Sequence, residues 1–68
     1  MEIVHGQVYK LLNEYYVVVE NGNHYQLVDT ENDVLWEDKL YTNDELYKEL
    51  YINKFIYVCN TLQEFKRA

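Results

Sequence analysis

Side chains capable of nucleophilic or metal chemistry are few in this sequence, which contains one cysteine, two histidines and no serine. Nucleophilic catalysis needs a nucleophile, a base and an orienting group held close together. Cys59 lies inside an apolar run with no basic cluster beside it, so we expect its thiol to be packed rather than reactive. A structural zinc site needs four ligands, and Cys59, His5 and His24 have no paired spacing. We therefore expect no catalytic residue, no metal and no cofactor, and a function that is not enzymatic.

Carboxylates are the abundant chemical groups, and they are concentrated in one part of the chain. The formal net charge is −6, from twelve Asp and Glu against six Lys and Arg. Residues 29–49 hold eight acids and two lysines, so this segment accounts for the whole net charge. An EF-hand loop beginning at Asp29 would need glycine at Val34 and glutamate at Leu40, and both are missing. The charge argues against direct binding to nucleic acid or anionic membranes and favours a partner protein with a basic surface.

Eight tyrosines are a second unusual feature. Most of their rings are expected in the core, but so small a domain cannot bury and satisfy all eight hydroxyl groups. Surface tyrosines beside carboxylates would favour protein binding, since the rings supply contact area and the charges steer the encounter. The predicted partner-binding residues are Asp29, Glu31, Asp33, Glu37, Asp38, Tyr41, Asp44, Glu45, Tyr47 and Glu49.

The elements that must position these residues begin with a predicted meander of three strands. Residues 3–12 and 15–20 are rich in β-branched and aromatic residues and flank a short turn at residues 13–14. Asn-Gly at residues 21–22 predicts a tight hairpin that returns along residues 24–29. The implied register leaves one face mixed and partly exposed. It turns the other face inward, made of Tyr9, Leu11, Tyr16, Val18, Tyr25 and Leu27.

The second half of the chain predicts a short strand, a helix and a last strand. Residues 34–37 are the fourth strand, and a capping-box pattern from Thr42 to Glu45 starts a helix near residues 43–52. Residues 54–59 are apolar on both sides and predict a fifth, interior strand. The order ββββαβ makes residues 1–68 a single α+β domain. It resembles a small, strongly bent antiparallel five-stranded sheet or SH3-like barrel, and this likeness implies no function.

We infer from these features a small acidic protein-binding module whose segment 29–49 occupies a basic site on a partner protein. In its sharper form that site normally binds nucleic acid, and the protein is a DNA mimic, an inhibitor of the kind phages and mobile elements use. The main alternative is a structural or assembly subunit that self-associates through a sheet edge or the mixed sheet face. An enzyme or ligand carrier would need a pocket, and the acids could also serve solubility alone. Without a signal peptide or an apolar run of about 20 residues, a cytoplasmic location is expected.

Overall fold

The computed structural model describes residues 2–67 and shows an α+β fold built on one sheet. Its elements are β1 (Val8–Leu11), β2 (Glu14–Asn21), β3 (His24–Asp29), α1 (Asn43–Ile52), β4 (Ile56–Cys59) and α2 (Leu62–Arg67). The strands pair antiparallel in the spatial order β3-β2-β1-β4. The predicted α+β class is confirmed. Within the described residues the sheet has four strands rather than five, and it is open rather than closed as an SH3-like barrel.

The predicted fourth strand at residues 34–37 is wrong. Leu35 makes one isolated bridge to Val28, and Tyr41 makes another to Tyr25. The three consecutive apolar residues of this stretch are followed by Glu and Asp, so no alternating pattern continues along it. Residues 30–42, which we call the edge segment, therefore run beside β3 without forming a ladder.

Both predicted hairpin loops are displaced by one residue. The β1–β2 loop lies one residue earlier than predicted, at residues 12–13, and the β2–β3 loop lies one residue later, at residues 22–23. Val18 consequently faces Leu27 rather than Tyr25 across the β2–β3 pair. Moving a two-residue loop by one position shifts the pairing by two residues, and side chains alternate with a period of two, so every side chain keeps its face.

The predicted inward face therefore forms the core. Tyr9, Val18 and Leu27 are fully buried there, and Leu46 and Leu50 of α1 belong to the same buried cluster. The opposite face, predicted to be mixed and partly exposed, is covered in part. Its residues Val8 and Val17 are buried, and the Phe65 ring of α2 lies 4.8 Å from the ring of Tyr15, which neighbours Val17 on that face.

Helix α1 begins and ends close to the predicted bounds because its capping signals are local. The Glu45 N–H donates to Thr42 Oγ1 at 3.2 Å, and the Glu45 carboxylate accepts the Thr42 N–H at 2.8 Å. Asn53 ends the helix by donating its N–H to the Glu49 carbonyl. Lys54, at φ 62°, then turns the chain back toward the sheet.

The predicted interior position of the last strand is wrong. Among residues 2–67, β4 pairs only with β1 and forms one edge of the sheet. Its residues Ile56, Tyr57 and Val58 are 65%, 43% and 39% exposed. A strand that is apolar on both sides is typical of a sheet interior, but here no fifth strand exists to cover it within residues 2–67.

Candidate functional site: an acidic sheet edge

The edge segment is fixed to β3 by backbone hydrogen bonds. Tyr25 and Tyr41 each donate an N–H to the other's carbonyl, at 2.7 and 2.8 Å, and the Trp36 N–H donates to the Leu27 carbonyl at 2.8 Å. These bonds satisfy part of the outer edge of β3, which would otherwise present unpaired groups. The acidic residues of the segment are therefore held at one edge of the sheet.

Asp29 shapes the turn into the edge segment. It is buried, and its Oδ1 accepts the N–H groups of Glu31 at 2.8 Å and Asn32 at 3.1 Å. These two backbone hydrogen bonds favour the charged carboxylate and lower the pKa of Asp29 below its ordinary value. The side chain is thus used within the protein, and we do not place it on the binding surface.

Three glutamates act on the hydroxyl group of Tyr41, by a hydrogen bond or through their charge, and form what we call the carboxylate cluster: Glu37, Glu45 and Glu49. The Tyr41 hydroxyl donates to Glu37 Oε1 at 3.0 Å, and the Trp36 indole N–H donates to Glu49 Oε1 at 3.3 Å. Burial, the hydrogen bond to Glu37 and the neighbouring negative charges raise the pKa of Tyr41 far above its ordinary value. Tyr41 therefore stays neutral and keeps its hydroxyl hydrogen bond to Glu37.

The cluster keeps its negative character although one lysine lies beside it. The Lys39 Nζ is 4.8 Å from the centroid of the Tyr41 ring, a cation–π distance. Hydrogen bonding with Glu49 and then with Tyr41 holds the pKa of Glu37 below its ordinary value, and the charge of Lys39 adds to this. The pKa of Glu45 is lowered by its capping bonds to the helix start, with a smaller contribution from Lys39. The three carboxylates of the cluster outnumber the single amine of Lys39.

Seven of the ten predicted partner-binding residues reach solvent on the edge segment and on α1. Six are exposed, and the seventh, Glu49, is half-buried. We call this set the acidic edge, and its members are Glu31, Asp33, Glu37, Asp38, Asp44, Glu45 and Glu49.

The remaining predicted residues lie elsewhere. Tyr41 is 1% exposed, so its ring belongs to the core and does not reach a partner. Tyr47 is exposed, but it stands two residues from both Glu45 and Glu49 on α1, which places it roughly 200° around the helix axis from them. There it lines a groove between α1 and β4 with Tyr51 and Tyr57. Like Asp29, Tyr41 and Tyr47 are not part of the acidic edge.

The groove and the open edge of β4 were missed by sequence reasoning. The signal was present, since Tyr47 and Tyr51 are one helical turn apart and β4 carries apolar residues on both faces. These patterns are equally typical of a core, however, and only the strand order shows that β4 has an uncovered side.

The groups considered for catalysis or metal binding take part in local contacts. His5 Nδ1 accepts the Glu20 N–H at 3.0 Å, and the Cys59 thiol, half-buried, contacts the Thr61 carbonyl at 3.3 Å. Among residues 2–67, no three or more His, Cys, Asp or Glu side chains are grouped to hold a metal ion. In the same part of the chain, neither helix has the length and apolar character to cross a bilayer. Comparisons with protein-family models, curated proteins and solved structures found no match.

Proposed function

We propose that the protein is a small binding module whose acidic edge binds a basic surface of a partner protein. The observation that carries this proposal is the concentration of exposed carboxylates on one backbone-anchored segment and on the adjoining start of α1, with Lys39 as the base beside the carboxylate cluster. A charged surface that is already ordered loses little conformational entropy on binding. Its charge also raises the rate of encounter with a cationic partner.

In the sharper form of the proposal, the basic surface normally binds nucleic acid. The edge segment, which carries four members of the acidic edge, runs beside β3 from Asp29 to Tyr25, the residue bridged to Tyr41. Four residues of a strand span about 13 Å, which is close to the rise of about four base pairs at roughly 3.4 Å each. Carboxylates spread over that length can take the places of phosphates. The protein would then act as a competitive inhibitor, of the kind phages and mobile elements use.

Two triple variants with the same net charge test the proposal. The first reverses three residues of the acidic edge, as E31K/D38K/D44K, and the second reverses three exposed acids elsewhere, as E2K/E20K/E64K. Each changes the formal charge from −6 to zero. Glu37 and Glu45 are left unchanged because they hold Tyr41 and the helix cap. Any difference between the variants therefore reports the location of the charge rather than its total.

The assay is capture from a lysate on immobilised protein, followed by elution with duplex DNA, with RNA or with salt. We expect the wild type and E2K/E20K/E64K to retain the same partner, and E31K/D38K/D44K to lose it. Release by nucleic acid supports the sharper form. Release by about 0.5 M NaCl, which shortens the screening length to roughly 4 Å, supports the electrostatic binding that both forms share. Equal retention by both triple variants, or binding that survives high salt, would show that the acids serve only solubility.

A further inference from the structure

The two edges of the sheet differ in a way that the acidic edge does not explain. The outer side of β3 is covered by the edge segment, whereas β4 ends the sheet. Exposed edge strands are usually protected by lysine, proline, an inward-pointing charge or a β-bulge. The four residues of β4 include no lysine, proline or charge, and the strand carries a bulge at Val58, which its pairing with β1 skips. We propose that a second copy of this chain docks on β4 by antiparallel strand pairing, joining two four-stranded sheets into one of eight strands.

The distribution of charge favours β4 as the surface through which two copies of the chain associate. Two copies with a net charge of −6 each repel one another, so they can associate only where the acids are remote. Residues 55–63 contain no Asp, Glu, Lys or Arg, and this is the longest such run in the chain. Pairing at β4 leaves seven strand spacings between the two β3 strands, about 34 Å. That distance is several screening lengths at physiological salt, where one length is about 8 Å.

The side chains of β4 are matched to their own copies in this arrangement. A two-fold axis perpendicular to the sheet and passing between the two Tyr57 residues keeps the core faces of both copies on the same side. Tyr57 then faces Tyr57 of the second copy, with Ile56 and the bulged Val58 on either side of it. Aromatic and β-branched cross-strand pairs of this kind favour sheet formation. Tyr47 and Tyr51, which line the groove beside Tyr57, extend the apolar contact on the core side.

The exposed apolar area is sufficient for a weak dimer. Besides the three β4 residues, Tyr47 and Tyr51 are 40% and 78% exposed. At roughly 200 Å² for each fully exposed large side chain, the five residues present about 500 Å² on each copy. The interface of about 1,000 Å² lies at the small end of specific interfaces. We therefore expect a dissociation constant weaker than about 1 μM.

Sedimentation velocity from about 10 μM to about 1 mM tests the proposal, since a weak dimer appears only at high concentration. The wild-type mass should rise from 8.3 kDa toward twice that value. V58K should stay monomeric over the whole range, while V34K should dimerise like the wild type. Val34 is a matched control because it is 59% exposed, lies on the opposite edge and gives the same net charge when replaced. Added salt should leave the dimer intact or strengthen it, because salt screens the repulsion between the acidic edges.

A cross-link keeps the proposal testable if V58K fails to fold. In a C59A background, Y57C should oxidise to a disulfide-linked dimer, because the two residues at position 57 meet across the axis at a distance that a disulfide spans. V34C in the same background should remain uncross-linked. A wild type that is monomeric at about 1 mM, a V34K variant that loses the dimer as V58K does, or equal cross-linking at positions 34 and 57 would each overturn the proposal.

Discussion

Trp36 is the residue whose removal tests most directly whether the core holds the acidic edge in place. Its ring makes edge-to-face contacts with Tyr16 and Phe55, at 5.6 and 5.2 Å between centroids. Its indole N–H donates to Glu49, and its backbone N–H donates to the carbonyl of Leu27. Trp36→Ala should therefore loosen the edge segment, and it replaces no residue of the four strands.

The expected loss follows from the burial of the ring. Replacing a fully buried tryptophan by alanine costs about 3–5 kcal/mol, and Trp36 is half-buried. We expect the free energy of unfolding to fall by about 2–3 kcal/mol, with the two aromatic pairs supplying about 0.5–1.5 kcal/mol each. A domain of this length has a total stability of about 3–10 kcal/mol. The melting temperature should then fall by about 10–20 °C.

Urea and thermal unfolding followed by far-UV circular dichroism measure this loss. Tryptophan fluorescence cannot be compared, because Trp36 is the only tryptophan. Trp36→Phe keeps an aromatic ring and should lose less stability than Trp36→Ala. Val34→Ala, at an exposed position of the same segment, should change stability by no more than about 0.5 kcal/mol. A loss below about 1 kcal/mol for Trp36→Ala, or an equal loss for Val34→Ala, would refute the view that Trp36 anchors the acidic edge.

Three further predictions concern the elements around the site. Thr42→Ala removes the cap of α1 and should lower stability by about 1 kcal/mol, whereas Thr42→Ser should restore it; thermal melts measure both. Leu46→Ala opens a cavity at a fully buried position and should cost about 2–5 kcal/mol, while Leu12→Ala, in the exposed first loop, should stay within about 0.5 kcal/mol; equal losses in urea titrations would contradict the docking of α1. Backbone hydrogen bonds lower the pKa of Asp29 in the folded protein, so its contribution to stability is complete above the unfolded pKa of about 3.9 and is lost as the pH falls through the folded pKa. Asp29→Asn should flatten the pH dependence of the melting temperature in acid, and an unchanged profile would show that these bonds do not hold the carboxylate.

Local signals predicted the parts of the fold that depend on local chemistry. The Thr42–Glu45 capping box determines where α1 begins, and strand composition identified the three strands of the meander. The sheet faces were predicted correctly although both loops were displaced, because each displacement moved the pairing by two residues. Strand order is different, since it depends on which distant segments meet. The edge position of β4 could not be read from residues 56–59 for this reason.

In the candidate site, too, local features were predictable from the sequence and contacts between distant segments were not. The run of acids in residues 29–49 is visible in the sequence, but its use by the fold is not. Asp29 turns inward because its carboxylate accepts the N–H groups of the turn that follows. Tyr41 is buried because the edge segment bridges back to Tyr25 on β3. Both outcomes require the edge segment to lie against β3, and no local pattern specifies that contact.

The two proposed surfaces, if both hold, make a prediction that neither makes alone. A dimer joined at β4 carries its two acidic edges just outside the two β3 strands, roughly 40 Å apart at about 4.8 Å for each strand spacing. That separation is comparable with the roughly 34–36 Å between the recognition helices of dimeric helix-turn-helix proteins on DNA. A partner with two basic sites at such a distance would be bound by both edges at once, and its apparent affinity would exceed that of one edge.

At concentrations above the dissociation constant of the dimer, V58K should therefore weaken binding to a dimeric DNA-binding protein by about 10²-fold or more, yet leave binding to a single basic peptide unchanged. E31K/D38K/D44K should weaken binding to the dimeric protein and to the peptide alike. Surface plasmon resonance with each partner immobilised measures the two affinities. L12K, at an exposed position of the first loop outside the acidic edge, is the control with the same charge as V58K. If V58K weakens binding to the dimeric protein and to the peptide equally, Val58 acts through the stability of the monomer. The bivalent mode would then be wrong, even if the acidic edge binds as proposed.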